Sequence, residues 1–451
     1  HVSAGDNSTC AVSAAWKNDQ WQNQVLHCWG DNSDGQLGNG SETTTLALPR
    51  PADLETTYTQ ISASGENLCG ITSAGTLRCW GDNSSGQLGI GTTQTSASMA
   101  MTPVLPATKD PFIAVGAAAM AAPSNKPATC AISQSGRLRC WGSQNNGRLG
   151  DGRSSSTGVV AFPKDIDSGT SYGTTLSSYT ITTTSNGNFT VTAPTQIANG
   201  TQHACALTAS GQVKCWGYNP YGWLGVGDTT TRTTPTAISS SDTFLAVSSG
   251  DTHTCAIRSS DRRVLCWGDR RFGRLGDGYT SNTLSNVTSP TLTSDSSAYQ
   301  SISAGGQHTC GVTTAGQLKC WGRNYAGEVG NNTLAVVGTP THVDTGTTYA
   351  WVSAGESNTC AISSAGVLKC TGNASYGNLG NGTATDQKLF IEIDSGTAYQ
   401  SVSMGLSYAC GITTSGQLKC WGRDQFSTSA DNSTIGKWFT GRLPYYPQAI
   451  W

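Results

Sequence analysis

Charged side chains are scarce. Asp, Glu, Lys and Arg make up 12% of the 451 residues, about half the usual share of roughly 25% in soluble domains. The 26 basic and 28 acidic residues leave a net charge of −2, so no positive excess exists to hold a nucleic acid or an acidic membrane surface. Methionine occurs only 4 times, and Glu and Lys are few, which excludes a coiled coil and argues against a helical bundle. Long apolar runs are missing too. The longest near-apolar stretch, Phe112 to Ala122, is far short of the ~20 residues that cross a bilayer. The chain starts at His1 without a signal-like apolar stretch, as expected of a mature protein whose leader has been removed.

Motifs of catalysis are equally absent. No C-x-x-C or H-E-x-x-H occurs, the Gly-rich segments do not follow phosphate-loop spacing, and no carboxylate pair recurs. Asp31-Asn32-Ser33-Asp34-Gly35 lacks the ligand order and terminal Glu of a calcium loop and reads as a turn. Catalytic residues, cofactors and metal ligands are therefore expected to be none, and the chain is read as a non-enzyme.

What is plentiful is Gly, at 55 residues, and Cys, at 16. The cysteines fall in pairs: Cys10 with Cys28, Cys69 with Cys79, Cys130 with Cys140, and Cys205 with Cys215. The later pairs are Cys255 with Cys266, Cys310 with Cys320, Cys360 with Cys370, and Cys410 with Cys420. Their second members recur about every fifty residues, with two long insertions. A typical unit, Tyr299 to Gly330, alternates as a strand, passes a hairpin and ends in a Gly-rich loop, with no helical period. A further strand is expected after the Pro of segments such as Thr339-Pro340-Thr341-His342-Val343.

Hairpin geometry accounts for the cysteine spacing. A loop of Ala209-Ser210-Gly211, with Gly211 left-handed, puts Thr208 opposite Gln212 and, three steps outward, Cys205 opposite Cys215. Such a non-hydrogen-bonded pair has Cα atoms about 4.5 Å apart, within disulfide reach. The pair Cys255 and Cys266 fits with a four-residue loop, Ser259 to Arg262, and the pair Cys10 and Cys28 with longer arms. Eight bridges inside hairpins follow, each adding about 2–3 kcal/mol by the loop-entropy argument. They imply an oxidising compartment, hence an extracellular or cell-surface location.

After each hairpin comes W-G-x-N-x-x-G-x-L-G with small changes, as in Trp29 to Gly38 and Trp80 to Gly89. The tryptophan recurs at Trp141, Trp216, Trp267, Trp321 and Trp421, and Thr371 replaces it in the seventh unit. This combination resembles the repeat of the regulator of chromosome condensation family. The resemblance implies an all-β fold, a β-propeller of four-stranded blades. Eight repeats argue for eight blades, whereas relatives usually have seven, which remains the alternative. Stacking sheets radially buries faces that one unit cannot cover alone, so the tryptophan is expected to pack between blades.

The whole chain, 1–451, is read as one propeller domain. Val2-Ser3-Ala4-Gly5 aligns with the end of a first strand, so the two chain ends are expected to meet and close the ring; the alternative is a tail, Pro444 to Trp451, that completes a neighbouring copy and builds a polymer. Two features project. A hairpin finger, 14–24, carries Trp16 and Trp21, and an inserted hairpin, 177–193, carries Tyr179, Ile181, Phe189 and Val191 around an Asn-Gly turn. These six are the candidate partner contacts. Residues 96–127 are read as a loop with an apolar patch containing Met99, Met101 and Met120. His203, His253 and His308 each precede a first cysteine by two residues. Hydrogen bonding is expected of them, because equivalent positions on adjacent blades stand too far apart to share an ion at ~2.0–2.1 Å.

The leading function is a secreted or cell-surface module that binds a protein or glycan through rim loops and projecting hairpins. Two alternatives stay open: a structural subunit of an extracellular filament or coat, and, implied by the resemblance, a guanine-nucleotide exchange factor-like regulator of a small GTPase. The cysteines and the lack of a basic tail count against the last.

Overall fold

In the computed structural model, antiparallel sheets follow one another in chain order, each built outward from an inner strand. The structure describes residues 2–4, 8–12, 15–17, 20–22, 26–38, 45–53, 56–63, 67–93, 110–117, 127–173, 181–183, 189–191, 197–375, 377–404, 408–422 and 439–441. The sixth sheet is typical: Tyr299–Ala304, His308–Thr313, Leu318–Gly322 and Val337–His342 lie in that order. The hairpin of the fourth sheet has the expected register, with Cys205 opposite Cys215 and Leu207 opposite Val213. Thr208 N–H donates to Gln212 O at 2.8 Å, and Gly211, at φ +82°, turns the chain.

All eight disulfides form inside hairpins. Cys10 is bonded to Cys28, Cys69 to Cys79, Cys130 to Cys140 and Cys205 to Cys215. In the later sheets Cys255 is bonded to Cys266, Cys310 to Cys320, Cys360 to Cys370 and Cys410 to Cys420. Each bond joins residues directly opposite on the second and third strands, as Cys10 faces Cys28 and Cys255 faces Cys266. The Cα atoms lie 4.1–4.2 Å apart, slightly inside the ~4.5 Å of a non-hydrogen-bonded pair without a bridge. All sixteen cysteines are buried, so they belong to the core and present nothing to a partner.

Two expectations need correction. Eight four-stranded blades reduce to seven: the second sheet has three described strands, Tyr58–Ala63, Asn67–Thr72 and Leu77–Gly81. The chain departs from its period after that hairpin, and residues 94–109, where a fourth strand would fall, lie outside the described residues. The outer strand also spans its proline instead of following it, as Pro340 does within Val337–His342. The register shifts between Cys320 and Gly322 beside it. Pro, which has no N–H to donate, is tolerated on such an edge strand.

Consecutive inner strands pack together, and Val2–Ala4 packs against Tyr399–Met404 and Tyr408–Thr413, so the first sheet meets the eighth. The tail 442–451 lies outside the described residues. Serines join the inner strands: Ser3, Ser248 and Ser303 Oγ accept the N–H of Ala63, Ala304 and Ala354 of the following sheet at 2.9–3.0 Å.

The recurring tryptophans are buried between sheets. Trp80, Trp141, Trp216, Trp267, Trp321 and Trp421 are at most 1% exposed. Each indole N–H donates to the carbonyl of the x residue in the G-x-L-G element of the preceding repeat, at 2.8–3.1 Å. The last glycine of that element leaves the room. A Cβ on Gly276, at φ +70°, would stand 2.8 Å from Trp321 Nε1. The packing role expected of these tryptophans is met.

The seventh sheet solves the same problem differently. Thr371 replaces the tryptophan, and Phe390 stands where the sixth sheet has Pro340. The Phe390 ring covers Gly330, as Trp321 covers Gly276. It meets Tyr349 with centroids 6.3 Å apart, where Tyr299 meets Trp321 at 6.4 Å. The Thr371 hydroxyl donates to Gly327 O at 2.9 Å. Thr371→Trp alone should therefore collide with Phe390 and lower Tm, while adding Phe390→Pro should restore much of the loss. Calorimetry of the two single variants and the double is expected to give a coupling of about 0.5–3 kcal/mol; simple additivity would refute the exchange.

Candidate functional site

One end of the ring gathers two sets of loops, those between first and second strands and those after the third. Backbone hydrogen bonds join them: Tyr218 N–H to Gln202 O, Asp269 to Thr252 and Arg323 to Gln307, each at 3.0 Å. In the first, second, fourth and sixth sheets the motif asparagine braces the loop from within. Asn324 Oδ1 accepts the Val329 N–H at 2.9 Å, and its Nδ2 donates to Thr333 O at 2.9 Å. Asn83 and Asn219 repeat the arrangement. Asp31 to Gly35 is likewise a turn, with Ser33 N–H on Asp31 Oδ1 and Leu37 N–H on Asn32 Oδ1, both at 3.0 Å.

These loops share a frame but differ in what they display. The first and second sheets carry Asp31, Asp34 and Asp82. Burial, then the charge of Asp82, raises the pKa of Asp34. The fourth, fifth and sixth sheets carry arginines and rings instead. The Arg271 guanidinium carbon lies 6.0 Å from the Tyr221 ring centre, and that of Arg323 lies 5.3 Å from Tyr325. Phe272 meets Tyr325 edge to face at 5.8 Å. A continuous arc of cations and rings thus crosses three sheets.

Two longer loops widen the arc. Arg270 N–H donates to Ser285 O at 2.9 Å and Phe272 N–H to Ser281 O at 3.0 Å, which brings Leu284 alongside. In the sixth sheet the bonds from Asn324 to Thr333 and Ala335 hold the segment of Leu334 against the loop that carries Tyr325. Leu284, Tyr325 and Leu334 are 52%, 51% and 48% exposed. Large apolar groups clustered on a surface among polar ones mark a place of partner contact.

The charges are held from below. Asp269 accepts from Arg271 at 2.6 Å and from Arg274 at 3.1 Å, and Asp277 accepts from Arg270 at 2.6 Å. Burial lowers the pKa of Arg274 to about 10, so it stays cationic at neutral pH. Nearer the ring's axis, Asp251 is hydrogen-bonded to Glu356 across Gly306, whose missing side chain leaves space for the Glu356 carboxylate. Burial first, and then Glu356, raises Asp251 well above the usual carboxylate range.

The contacts proposed from sequence fall on two separate two-stranded sheets. The finger forms a two-stranded sheet, Ala15–Lys17 with Gln20–Gln22, in which Trp16 opposes Trp21. In the insertion Ile181 opposes Val191 and Thr183 opposes Phe189; Tyr179 lies outside the described residues, as do Met99, Met101 and Met120. The arginine–aromatic arc was missed. Its signal was a break in the repeat, where Pro220-Tyr221, Arg271-Phe272 and Tyr325-Ala326 replace the small polar pairs Ser33-Asp34 and Ser84-Ser85.

The three histidines link consecutive sheets under this face. His203 Nε2–H donates to Thr254 Oγ1 at 3.0 Å, His253 to Thr309 at 2.8 Å and His308 to Thr359 at 2.8 Å. The proton position follows from the threonines, which themselves donate to Trp223, Arg274 and Glu328 carbonyls. Hydrogen bonding is the role expected of them.

Matches to the regulator of chromosome condensation (RCC1) repeat cover residues 58–87, 195–222, 244–274, 299–328 and 399–427 in one form and 210–257 and 261–312 in another. The chain is 27% identical over 332 residues to the ultraviolet-B receptor UVR8 of Arabidopsis thaliana, spanning 73% of this chain and 66% of the receptor. It is 26% identical over 305 residues to the human E3 ubiquitin-protein ligase HERC2, spanning 66% of this chain but 6% of the ligase. Among solved structures, Prp20p of Saccharomyces cerevisiae superposes with a TM-score of 0.64 at 19% identity, over 89% of this chain and 92% of that one. At that identity the likeness concerns fold alone.

The histidines predict an acid limb. Burial lowers His203 and His308 from 6.5 to about 4, and takes His253 well below its usual value. The unfolded chain then takes up protons before the folded one as pH falls. The stability from neutral imidazoles is complete above about pH 6.5 and is lost as pH falls toward about 4. Tm should drop across that window, and the triple variant His203→Asn, His253→Asn, His308→Asn, using the residue found at Asn358, should flatten it. An unchanged acid slope would exclude the histidines as its source.

Proposed function

Because the chain is built of regulator of chromosome condensation repeats, we propose that it is a non-catalytic protein-binding propeller working outside the reducing cytosol. The observation that carries this reading is the exposed cluster of Leu284, Tyr325 and Leu334 among arginines on one loop face. Tyrosine and arginine dominate the energetic centres of protein interfaces, and here backbone hydrogen bonds hold them before any partner arrives, which lowers the entropic cost of binding. The finger 14–24 and the inserted hairpin 177–193 are further contacts in this reading.

Sixteen paired cysteines support the compartment, since cytosolic reductants keep thiols free. Among solved structures of the fold, one is yeast RCC1 (Prp20) bound to Kap60 and another is Prp20p, with binding properties toward Gsp1p and histones. Those proteins support partner recognition by such rings and assign no partner to this one.

Two measurements test the reading. Alkylation of protein taken from its natural source, followed by mass analysis without reduction, should label no cysteine; widespread labelling removes the extracellular placement. Immobilised protein should retain a protein from its extracellular milieu that the Tyr325→Ala, Leu334→Ser variant does not retain. Equal retention would remove this face as the site, and stimulated nucleotide release from a small GTPase would put the exchange-factor reading in its place.

A further inference from the structure

Resting on that reading, we infer that the partner seated on the arc of the fourth to sixth sheets is an acidic protein segment in which carboxylates alternate with apolar side chains. The first ground is how the arc's ion pairs are layered. The acidic members lie beneath: the side chains of Asp269, Asp277 and Glu328 are 0%, 8% and 1% exposed, while those of Arg271, Arg270 and Arg323 are 32%, 33% and 28% exposed. The two signs nearly balance in number, yet the charge that meets solvent is positive. Asp277 and Asp269 also fix the Arg270 and Arg271 guanidiniums in place at 2.6 Å, so their remaining donors bind without further loss of side-chain freedom.

The second ground is the spacing of apolar groups between those charges. Tyr325 stands beside Arg323, with the guanidinium carbon 5.3 Å from the ring centre, and Phe272 touches Tyr325 at 5.8 Å. A purely anionic ligand would leave the rings, Leu284 and Leu334 uncovered, and a purely apolar one would desolvate three guanidiniums without compensation. An alternating segment satisfies both. On the first sheet the position of Phe272 carries Asp34, with the partly exposed Asp31 beside it. That repulsive sector confines an acidic segment to the arc and gives it one location on a nearly symmetric ring.

The test uses the full chain and a fluorescein-labelled peptide of alternating glutamate and leucine, twelve residues long by design, beside a lysine–leucine peptide of equal length. Fluorescence anisotropy should show binding of the first and none of the second, and raising salt from low to physiological strength should weaken the first severalfold. The Arg271→Gln, Arg323→Gln variant keeps polar side chains but removes two charges, and should bind about ten-fold more weakly. Arg271→Lys with Arg323→Lys should restore part of the loss, and Asp31→Asn should leave affinity unchanged or raised. Equal binding of both peptides, no binding of either, or indifference to the arginine changes would overturn the acidic partner. Partner retention that depends on Tyr325 and Leu334 but not on charge or salt would do the same while leaving the protein-binding reading intact.

Discussion

Sheet-to-sheet spacing in this ring depends on an indole lying against a backbone that has no side chain. Wherever the tryptophan occurs among the described side chains, it lies on the last glycine of the preceding G-x-L-G element and donates to a carbonyl two residues earlier in that chain. The contact combines a large apolar burial with a satisfied indole N–H, and the glycine's positive φ makes it the one residue type that fits without strain. The seventh sheet shows that the constraint is spatial and not tied to tryptophan. There Phe390, entering from the outer strand, fills the volume, and Thr371 Oγ1 lies within hydrogen-bond distance of two other carbonyls, Gly327 O and Gln387 O.

Division of labour follows from that contact. Disulfides act within sheets, closing each hairpin between its second and third strands, whereas packing and hydrogen bonds act between sheets. Toward the axis, serines and histidine–threonine pairs join neighbours. Toward the outside, Asp295, Asp344 and Asp394 each bind a tyrosine of the next inner strand and a lysine of its third strand. Burial opposes ionisation of these carboxyls, but the lysine and tyrosine hydrogen bonds outweigh it and hold their pKa values below the usual range. The ring is thus joined at several radii, and loops on its face need not contribute to stability.

That freedom explains why chemical character varies so sharply around one face. Where the motif asparagine is present it braces the backbone while the two residues at the tip change, from Ser33-Asp34 in the first sheet to Tyr325-Ala326 in the sixth; in the fifth, Arg270 stands in its place and Arg271-Phe272 form the tip. A fold shared by many proteins does not itself assign a role; here the distinguishing features are those tips, with carboxylates on one arc and guanidiniums among rings on another.

Much of the scaffold was legible in the sequence because it rests on local rules. Cysteine spacing, a left-handed glycine and strand alternation are sufficient to set hairpin register, and all eight pairings follow from them. Repetition itself points to a ring, and burial of the tryptophans follows from it. The count of four-stranded blades among the described residues did not follow, since a repeat announces a hairpin and not where its outer strand falls. Phe390 was also out of reach: its partners, Gly330 and Tyr349, belong to other strands. The arc was hidden for the same reason. Arg271, Phe272, Tyr325 and Leu334 are scattered over some sixty positions, and only the radial stacking of sheets brings rings, cations and exposed leucines onto one surface while sending the matching carboxylates beneath it.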